Sequence, residues 1–241
     1  MDKINVLKKY ITESNSIVVL TGAGISVPSG IPDFRSSQGV YESKYNNLNP
    51  EVILSHTFFY QQPEIFFQFY REKMVYKNAL PNIAHKTLAQ LEEKGKVTSI
   101  ITQNIDGLHQ KAGSKNVIEL HGSIQRNYCL KCHTFYGLNK IIEEKLIPHC
   151  DCGGLIKPDV VLYEEPLKSI DLDRAIRDIE RADLCLVVGT SLTVHPAASL
   201  IHYFKGKQLI IINKNQTPYN QFADLIIRDP LETILTDSLL K

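Results

Sequence analysis

No apolar run in this chain of 241 residues approaches the roughly 20 that a membrane span needs, which excludes a helical membrane protein from the outset. The opening stretch, residues 1–16, mixes charged and apolar residues and lacks the long apolar segment of a secretory leader, so a non-exported, cytoplasmic protein with no membrane partner is expected. Excess charge is missing too: 27 basic residues face 26 acidic ones, and nothing in that balance asks for nucleic acid. There is no internal repeat and no low-complexity tract, which excludes solenoids and disordered linkers. Cysteines number five, four of them in one short stretch of a chain too large to need disulfide staples, so metal binding in a reducing compartment is the better reading.

What is present is a globular composition, 43% hydrophobic, long enough for one large domain or a core domain with a smaller insert. Residues 16–21, 97–102, 184–190, 208–213 and 224–228 are continuous runs rich in Ile and Val, the pattern of strands buried on both faces of a parallel sheet. Helical periodicity lies between them. The segment opened by Pro81 sets Ala84, Leu88 and Leu91 on one face and stops at Gly95, and the segment from Leu167 to Ala182 sets Ile170, Ala175, Ile176 and Ile179 among charges. Alternating strands and helices predict a doubly wound, Rossmann-like α/β domain built from residues 1–40, 80–121 and 157–241. Two stretches break the alternation, the aromatic and helical residues 41–79 and the cysteine-bearing residues 122–156, and both read as parts of a smaller second module.

Straight after the first buried strand comes Thr21-Gly22-Ala23-Gly24-Ile25-Ser26, then Ser29-Gly30-Ile31-Pro32-Asp33-Phe34-Arg35. Glycines at a strand-to-helix turn let the backbone approach a pyrophosphate, and a following helix N-terminus offers free N–H groups. A tight structural turn is the simpler explanation of Gly-x-Gly by itself. The string also departs from the ordinary dinucleotide fingerprint: no third glycine follows, which argues against a dehydrogenase. Gln103, Asn104, Ile105 and Asp106 occupy the loop after the second strand, where open α/β sheets hold ligands and where successive amides and a carboxylate can hold an amide and a ribose. A helix cap is the commoner role for such residues. Fifteen residues after Asp106 stands His121, which titrates near neutrality and suits a general base beside a cofactor loop. Gly189, Thr190 and Ser191 follow the third long strand and Asn213 the fourth, all on one rim if the sheet is parallel.

Cys129 and Cys132 form C-x-x-C, and Cys150 and Cys152 form C-x-C with seventeen residues between the pairs. Two such pairs can close a tetrahedral structural Zn2+ site, with His133 and His149 as alternative ligands; a redox C-x-x-C needs no second pair. Cys185 lies in a buried strand and reads as inert packing.

Taken in order, GAGIS, SGIPDFR, TQNIDGLHQKAGS, ELHGS, the cysteine pairs, PDVVLYEE, GTSLTVHPA and IIN resemble the sirtuin family of NAD-dependent protein deacylases. The resemblance implies that NAD lies against Ala23, Arg35, Gln103, Asn104, Thr190, Ser191 and Asn213, with Asn104 and Asp106 near nicotinamide and His121 as base. It implies further that Phe34 lines an acyl-lysine tunnel and that the stretch Val160, Val161, Leu162 and Tyr163 pairs with the backbone of an acyl-lysine protein substrate. The expected reaction is removal of acetyl groups from lysine, with transfer to ADP-ribose and release of nicotinamide. A mono-ADP-ribosyltransferase using the same site is the alternative, and a non-enzymatic NAD sensor would have no use for His121 and Asp106 together.

Three features depart from that family's pattern. Tyr163-Glu164-Glu165 replaces Phe-Gly-Glu, Arg228-Asp229-Pro230 replaces a Gly-Asp-Ala-like turn, and the Tyr-x-x-Arg of desuccinylating members is missing from the aromatic stretch, where Phe67-Gln68-Phe69-Tyr70-Arg71 stands. The last departure favours acetyl or longer neutral acyl groups.

Overall fold

A computed structural model describes residues 2–34, 39–236 and 239. In chain order the elements are α1 (Lys3–Glu13), β1 (Ile17–Thr21), α2 (Pro50–Ile53), α3 (His56–Gln61), α4 (Pro63–Phe69), α5 (Ile83–Glu93), β2 (Val97–Thr102), α6 (Leu108–Lys111), β3 (Val117–Glu119), β4 (Gly122–Cys129) and β5 (Phe135–Tyr136). There follow α7 (Leu138–Glu143), β6 (Ile156–Val160), α8 (Ser169–Arg181), β7 (Leu184–Val188), β8 (Gln208–Ile212), β9 (Leu225–Ile227) and α9 (Leu231–Ile234). Among the described residues no helix is long and apolar enough to cross a membrane.

Six strands form one parallel sheet in the order β3-β2-β1-β7-β8-β9. Counted along the sheet's own strands this is 3-2-1-4-5-6, the doubly wound order whose switch point lies between β1 and β7. The Ile- and Val-rich runs are these strands because successive residues feed opposite faces and both faces are covered. Ile17, Val19, Ile100, Leu186, Val188, Ile210 and Ile212 enter one core with Leu7 of α1 and Leu88 and Leu91 of α5. Val18, Leu20, Ile101, Cys185, Val187, Leu209 and Ile211 enter the other with Ala175 and Ile179 of α8.

Two details of the helices differ from the sequence reading. Helix α5 is capped by Asn82, whose side chain accepts from Ala84 N, so Pro81 lies just outside it. Ile170 occupies the first turn of α8 and is 74% exposed, off the face that Ala175 and Ile179 bury. Helix α1, capped by Asp2, was not read from the sequence, since only Leu7 and Ile11 of its residues are buried.

The second, three-stranded sheet has the order β5-β4-β6 and is antiparallel. It shares a third core with the aromatic helices: Phe59, Phe66, Phe67, Phe69 and Tyr70 pack with Ile124, Cys129, Ile141, Cys150 and Ile156. β6 belongs to this sheet, so the small sheet runs on to Val160. The chain crosses between the sheets at Gly122, where φ is +76° and an added Cβ would lie 1.9 Å from Asp159 O. Arg126 ties the crossing by donating to Glu119 Oε2 (2.6 Å) and Asp159 Oδ2 (2.9 Å).

Candidate active site and metal centre

The carboxyl ends of β1, β2, β7 and β8 open on one rim, and a cleft of 390 Å³ runs from that rim toward the aromatic helices. Such a volume is in the range of small-ligand sites. Gly22, Ala23, Gly24, Ser26, Asp33 and Phe34 line it from the first loop, and Gln103, Asn104, Ile105, Asp106 and His121 line it from the β2 and β3 ends. Gly189, Thr190, Ser191 and Asn213 close the far side, and Val160, Val161, Leu162 and Tyr163 form the wall that leads to the small sheet. Arg35 lies outside the described residues.

The glycine loop does something other than expected. No α-helix follows it; two short 3-10 turns, Ala23–Ile25 and Val27–Ser29, come instead, so the loop lacks the aligned dipole of a full helix. A Cβ on Gly22 would lie 2.7 Å from Thr190 Cβ, and one on Gly24 2.7 Å from Gly189 O. The glycines are therefore required where the loops after β1 and β7 pack on each other at the switch point, with Gly24 N donating to Gly189 O at 2.8 Å. That packing leaves a cradle whose walls are backbone and small polar groups.

Across the cradle the polar side chains hold one another. Asn104 Nδ2 donates to Ser26 Oγ (3.0 Å), which donates to Asp106 Oδ2 (2.7 Å), while Leu108 N donates to Asp106 Oδ1 (2.8 Å). Burial raises the pKa of Asp106, and the hydrogen bonds from Leu108 N and Ser26 Oγ work against that rise. Gln103 Nε2 donates to Thr190 Oγ1 (3.0 Å), joining the β2 and β7 loops.

His121 Nδ1 lies 2.9 Å from Gln103 O. A carbonyl only accepts, so Nδ1 carries the proton and the Nε2 lone pair is left for the cleft. Burial lowers the histidine's pKa, the hydrogen bond to Gln103 opposing it. The result is a neutral imidazole fixed in the tautomer a general base requires.

Glu164 lines the cleft, as its place after Tyr163 implies, and several further lining residues were not read from the sequence: Tyr41, Leu54, Tyr70, Lys73, Met74, Tyr76, Glu165, Leu167, Val194, His195 and Asn215. Six come from the aromatic stretch, whose helical periodicity marks a core face without saying which residues border a cavity. Glu164 has φ +73°, the left-handed region that favours glycine, and its carboxylate accepts from Thr57 N (2.9 Å) in the first turn of α3. Glu165 bridges His56, Lys157 and Leu162 N, so the loop that carries Tyr163 is fastened to the aromatic helices.

Arg71 points away from the cleft. Its guanidinium donates to Ile141 O, Lys145 O and Leu146 O at 3.3, 3.0 and 2.9 Å.

The four cysteine sulfurs of residues 129, 132, 150 and 152 lie within 4.8 Å of one another, with adjacent pairs at 3.4–3.5 Å. Tetrahedral Zn–S bonds set sulfurs about 3.8 Å apart, so the set fits one Zn2+ and leaves it no open position. Donors of the protein face the sulfurs: Lys131 N and Cys132 N reach Cys129 Sγ, and Tyr136 Oη reaches Cys150 Sγ. All four are free thiols, not disulfides. His133 and His149 stand outside the cluster, His149 Nδ1 being 2.8 Å from Ile147 O. Cys185 is fully buried and its thiol is pushed up to about 12, consistent with inert packing.

Comparison with known proteins places these features together. A family model described as the Sir2 family matches residues 22–196. An NAD-dependent protein deacetylase of Clostridium tetani is 56% identical over 98% of this chain and 96% of its own length, and one of Clostridium acetobutylicum is 57% identical over 98% and 97%. Among solved structures, Sir2 with a p53 peptide and NAD+ is 42% identical, covers 98% of this chain and 96% of its own, and superposes with a TM-score of 0.86. Sir2Tm bound to a propionylated peptide is 40% identical, covers 97% and 96%, and has a TM-score of 0.85.

Proposed function

The chain belongs to the Sir2 family, and from that premise we propose that it is an NAD-dependent deacetylase of acyl-lysine proteins. One observation carries the assignment to this site: the neutral His121, held by Gln103 O, lines the same cleft as the Gly22–Ser26 loop and the strand-like wall Val160–Tyr163. NAD, when bound, would serve as co-substrate: its anomeric carbon would exchange nicotinamide for the acetyl oxygen and, with one water consumed, the acetyl group would end on a ribose hydroxyl as the lysine amine leaves.

The chain's residues divide that work. Gly22, Ala23, Gly24, Thr190, Ser191 and Asn213 bind the dinucleotide at the switch point, with Asp33 and Phe34 beside it, and Arg35 is a further NAD contact that the family resemblance implies. Asn104 and Asp106, cross-braced by Ser26, orient the nicotinamide end, and Gln103 and Ile105 shape its floor. His121 Nε2 takes a proton from a ribose hydroxyl so that its oxygen can attack the acyl carbon. Val160, Val161, Leu162 and Tyr163 offer an edge on which an extended peptide adds as a strand, which selects for the acyl-lysine more than for sequence. Phe34 walls the acyl group from water.

We take residues 1–40, 80–121 and 161–241 as the NAD-binding domain and residues 41–79 and 122–160 as the small module, the boundary expected at 156 moving to 160 because β6 pairs with β4. Zinc on Cys129, Cys132, Cys150 and Cys152 would hold that module together and do no chemistry, being fully ligated. Four cysteines gathered as a metal set and not paired in disulfides suit the reducing cytoplasm.

The test is product identity. Incubation with NAD and an acetyl-lysine peptide is expected to yield free lysine peptide, nicotinamide and O-acetyl-ADP-ribose by mass. A mass gain of ADP-ribose on protein in place of those products would establish the transferase instead.

A further inference from the structure

Two histidines outside this chemistry are buried beneath the cofactor cleft. His109 on α6 and His85 on α5 are 1% and 0% exposed, and their rings meet edge to face with centroids 4.9 Å apart. His109 Nε2 lies 3.0 Å from Thr21 Oγ1. No described residue partners His109 Nδ1 or either nitrogen of His85. Burial pushes His109 down to about 3 and His85 to about 4, so both rings stay neutral in ordinary buffers. Three unpartnered ring nitrogens are costly in a core, and packing alone would be better served by phenylalanine. Polar groups kept at such a cost point to a task other than packing.

Their neighbours identify the task. Thr21 is the last residue of β1, immediately before Gly22, and its carbonyl accepts from Gln103 N at 3.0 Å. Helix α6 is a single turn that starts two residues after Asp106, and its first N–H, that of Leu108, donates to the Asp106 carboxylate. Its second residue is His109. The turn is thus held to Asp106 at one point and to β1 at the next. Helix α5 backs both loops, since Asn82 Nδ2 donates to Ile25 O (2.8 Å) and Ser29 Oγ (2.9 Å) while His85 supports the His109 ring.

We propose that His109 is a positioning residue: its hydrogen bond to Thr21 locks α6 against β1 and thereby sets the Asp106 carboxylate in the cleft, with His85 fixing the tilt of the ring. The inference rests on the reading of the cleft as the NAD site of a deacetylase. It assigns no contact between either histidine and substrate.

Four variants test it: His109→Phe, His109→Gln, Thr21→Val, and Thr21→Val with His109→Phe. Phenylalanine fills the space without a ring nitrogen, whereas the glutamine amide reaches the place of Nε2 and can keep the bond. His109→Phe is expected to fold with a Tm equal to or above that of the wild type, yet to lose roughly tenfold or more in kcat/KM for NAD while KM for the acetyl peptide stays within about twofold. His109→Gln should recover most of that loss, and the double variant should be no worse than the poorer single one, because both changes break one bond. Turnover with NAD within about twofold of wild type in His109→Phe overturns the proposal, as do additive losses in the double variant. Should His109→Phe not fold, Thr21→Val, which removes a single hydroxyl, decides by the same criterion. A wild type that releases no nicotinamide with any acetyl peptide contradicts the deacetylase reading itself, an outcome distinct from these.

Discussion

In the proposed mechanism His121 serves as base only while its imidazole is neutral, and its burial in the cleft extends the neutral form to lower pH than a free histidine allows. The sign follows: a lowered pKa leaves the base available at pH 7, and activity falls as pH drops through that lowered value. The acid limb of kcat/KM should therefore be centred below the ordinary 6.5, and a pH profile with its limb centred above it would contradict the geometry. His121→Ala should cut turnover by roughly a hundredfold or more while NAD affinity changes only a few fold, as loss of a general base commonly does. Near-normal deacetylation would remove His121 from its role. Glu164 poses a different residue-scale question, because it adopts a glycine-like φ of +73° while its carboxylate caps α3 at Thr57 N. Glu164→Ala keeps the backbone strain and loses the cap, whereas Glu164→Gly loses the cap but relieves the strain. Thermal melts should rank the alanine variant below the glycine one. Glycine itself illustrates how a motif is legible before its reason is: Gly22 and Gly24 stand out in the sequence as a ligand loop, but their missing side chains make room for Thr190 and Gly189, neighbours so far along the chain that no local pattern announces them.

Elements were legible where one force dominates. β2 spans the residues read from the sequence, and β1, β7, β8 and β9 fall inside their runs, because a strand buried on both faces must be apolar throughout. β3, β4 and β5 were hidden, and β6 was met in part through Val160 of the stretch expected to pair with a peptide backbone: Gly122–Cys129 is buried and exposed in an irregular pattern, with a bulge between Ser123 and Asn127. The cysteine spacing identified that region by chemistry instead. It also predicts what the region does, since Cys129 and Cys150 lie in the aromatic core with Phe59, Phe66 and Ile141. Removing a ligand should release zinc, loosen this core and carry activity down with it, although no sulfur approaches the cleft. For Cys129→Ala and Cys150→Ala, metal analysis should show loss of zinc together with a lower Tm. A zinc-free variant that melts as the wild type and turns over fully would show that the metal does not hold the module.

At the scale of the whole molecule, acyl choice depends on how the aromatic helices meet the zinc-bearing sheet, since the cleft ends between them. Arg71 is the side chain that could have changed the outcome from within the aromatic stretch. Its position in the sequence, directly after Tyr70, left its direction open, and the structure turns it to three carbonyls of residues 141, 145 and 146, with its guanidinium 5.7 Å from the centroid of the Phe67 ring. It fastens the two parts of the small module and offers nothing to the cleft. A succinyl group would bring its carboxylate to a wall that includes Tyr70, Met74 and Leu54, where an unpaired charge costs several kcal/mol, roughly, against nothing comparable for acetyl or butyryl. Lys73 also borders the cleft and is the group to control for. At matched sequence, acetyl-lysine peptides should exceed succinyl-lysine peptides in kcat/KM by tenfold or more, on the order of 1.4 kcal/mol per decade. Arg71→Ala should lower Tm, by removing three hydrogen bonds, and leave the ratio unchanged; Lys73→Met should leave it unchanged as well. A wild type that prefers succinyl-lysine, with that preference lost in Lys73→Met, would mean that the cation reaches the carboxylate and that the cleft is polar at its inner end.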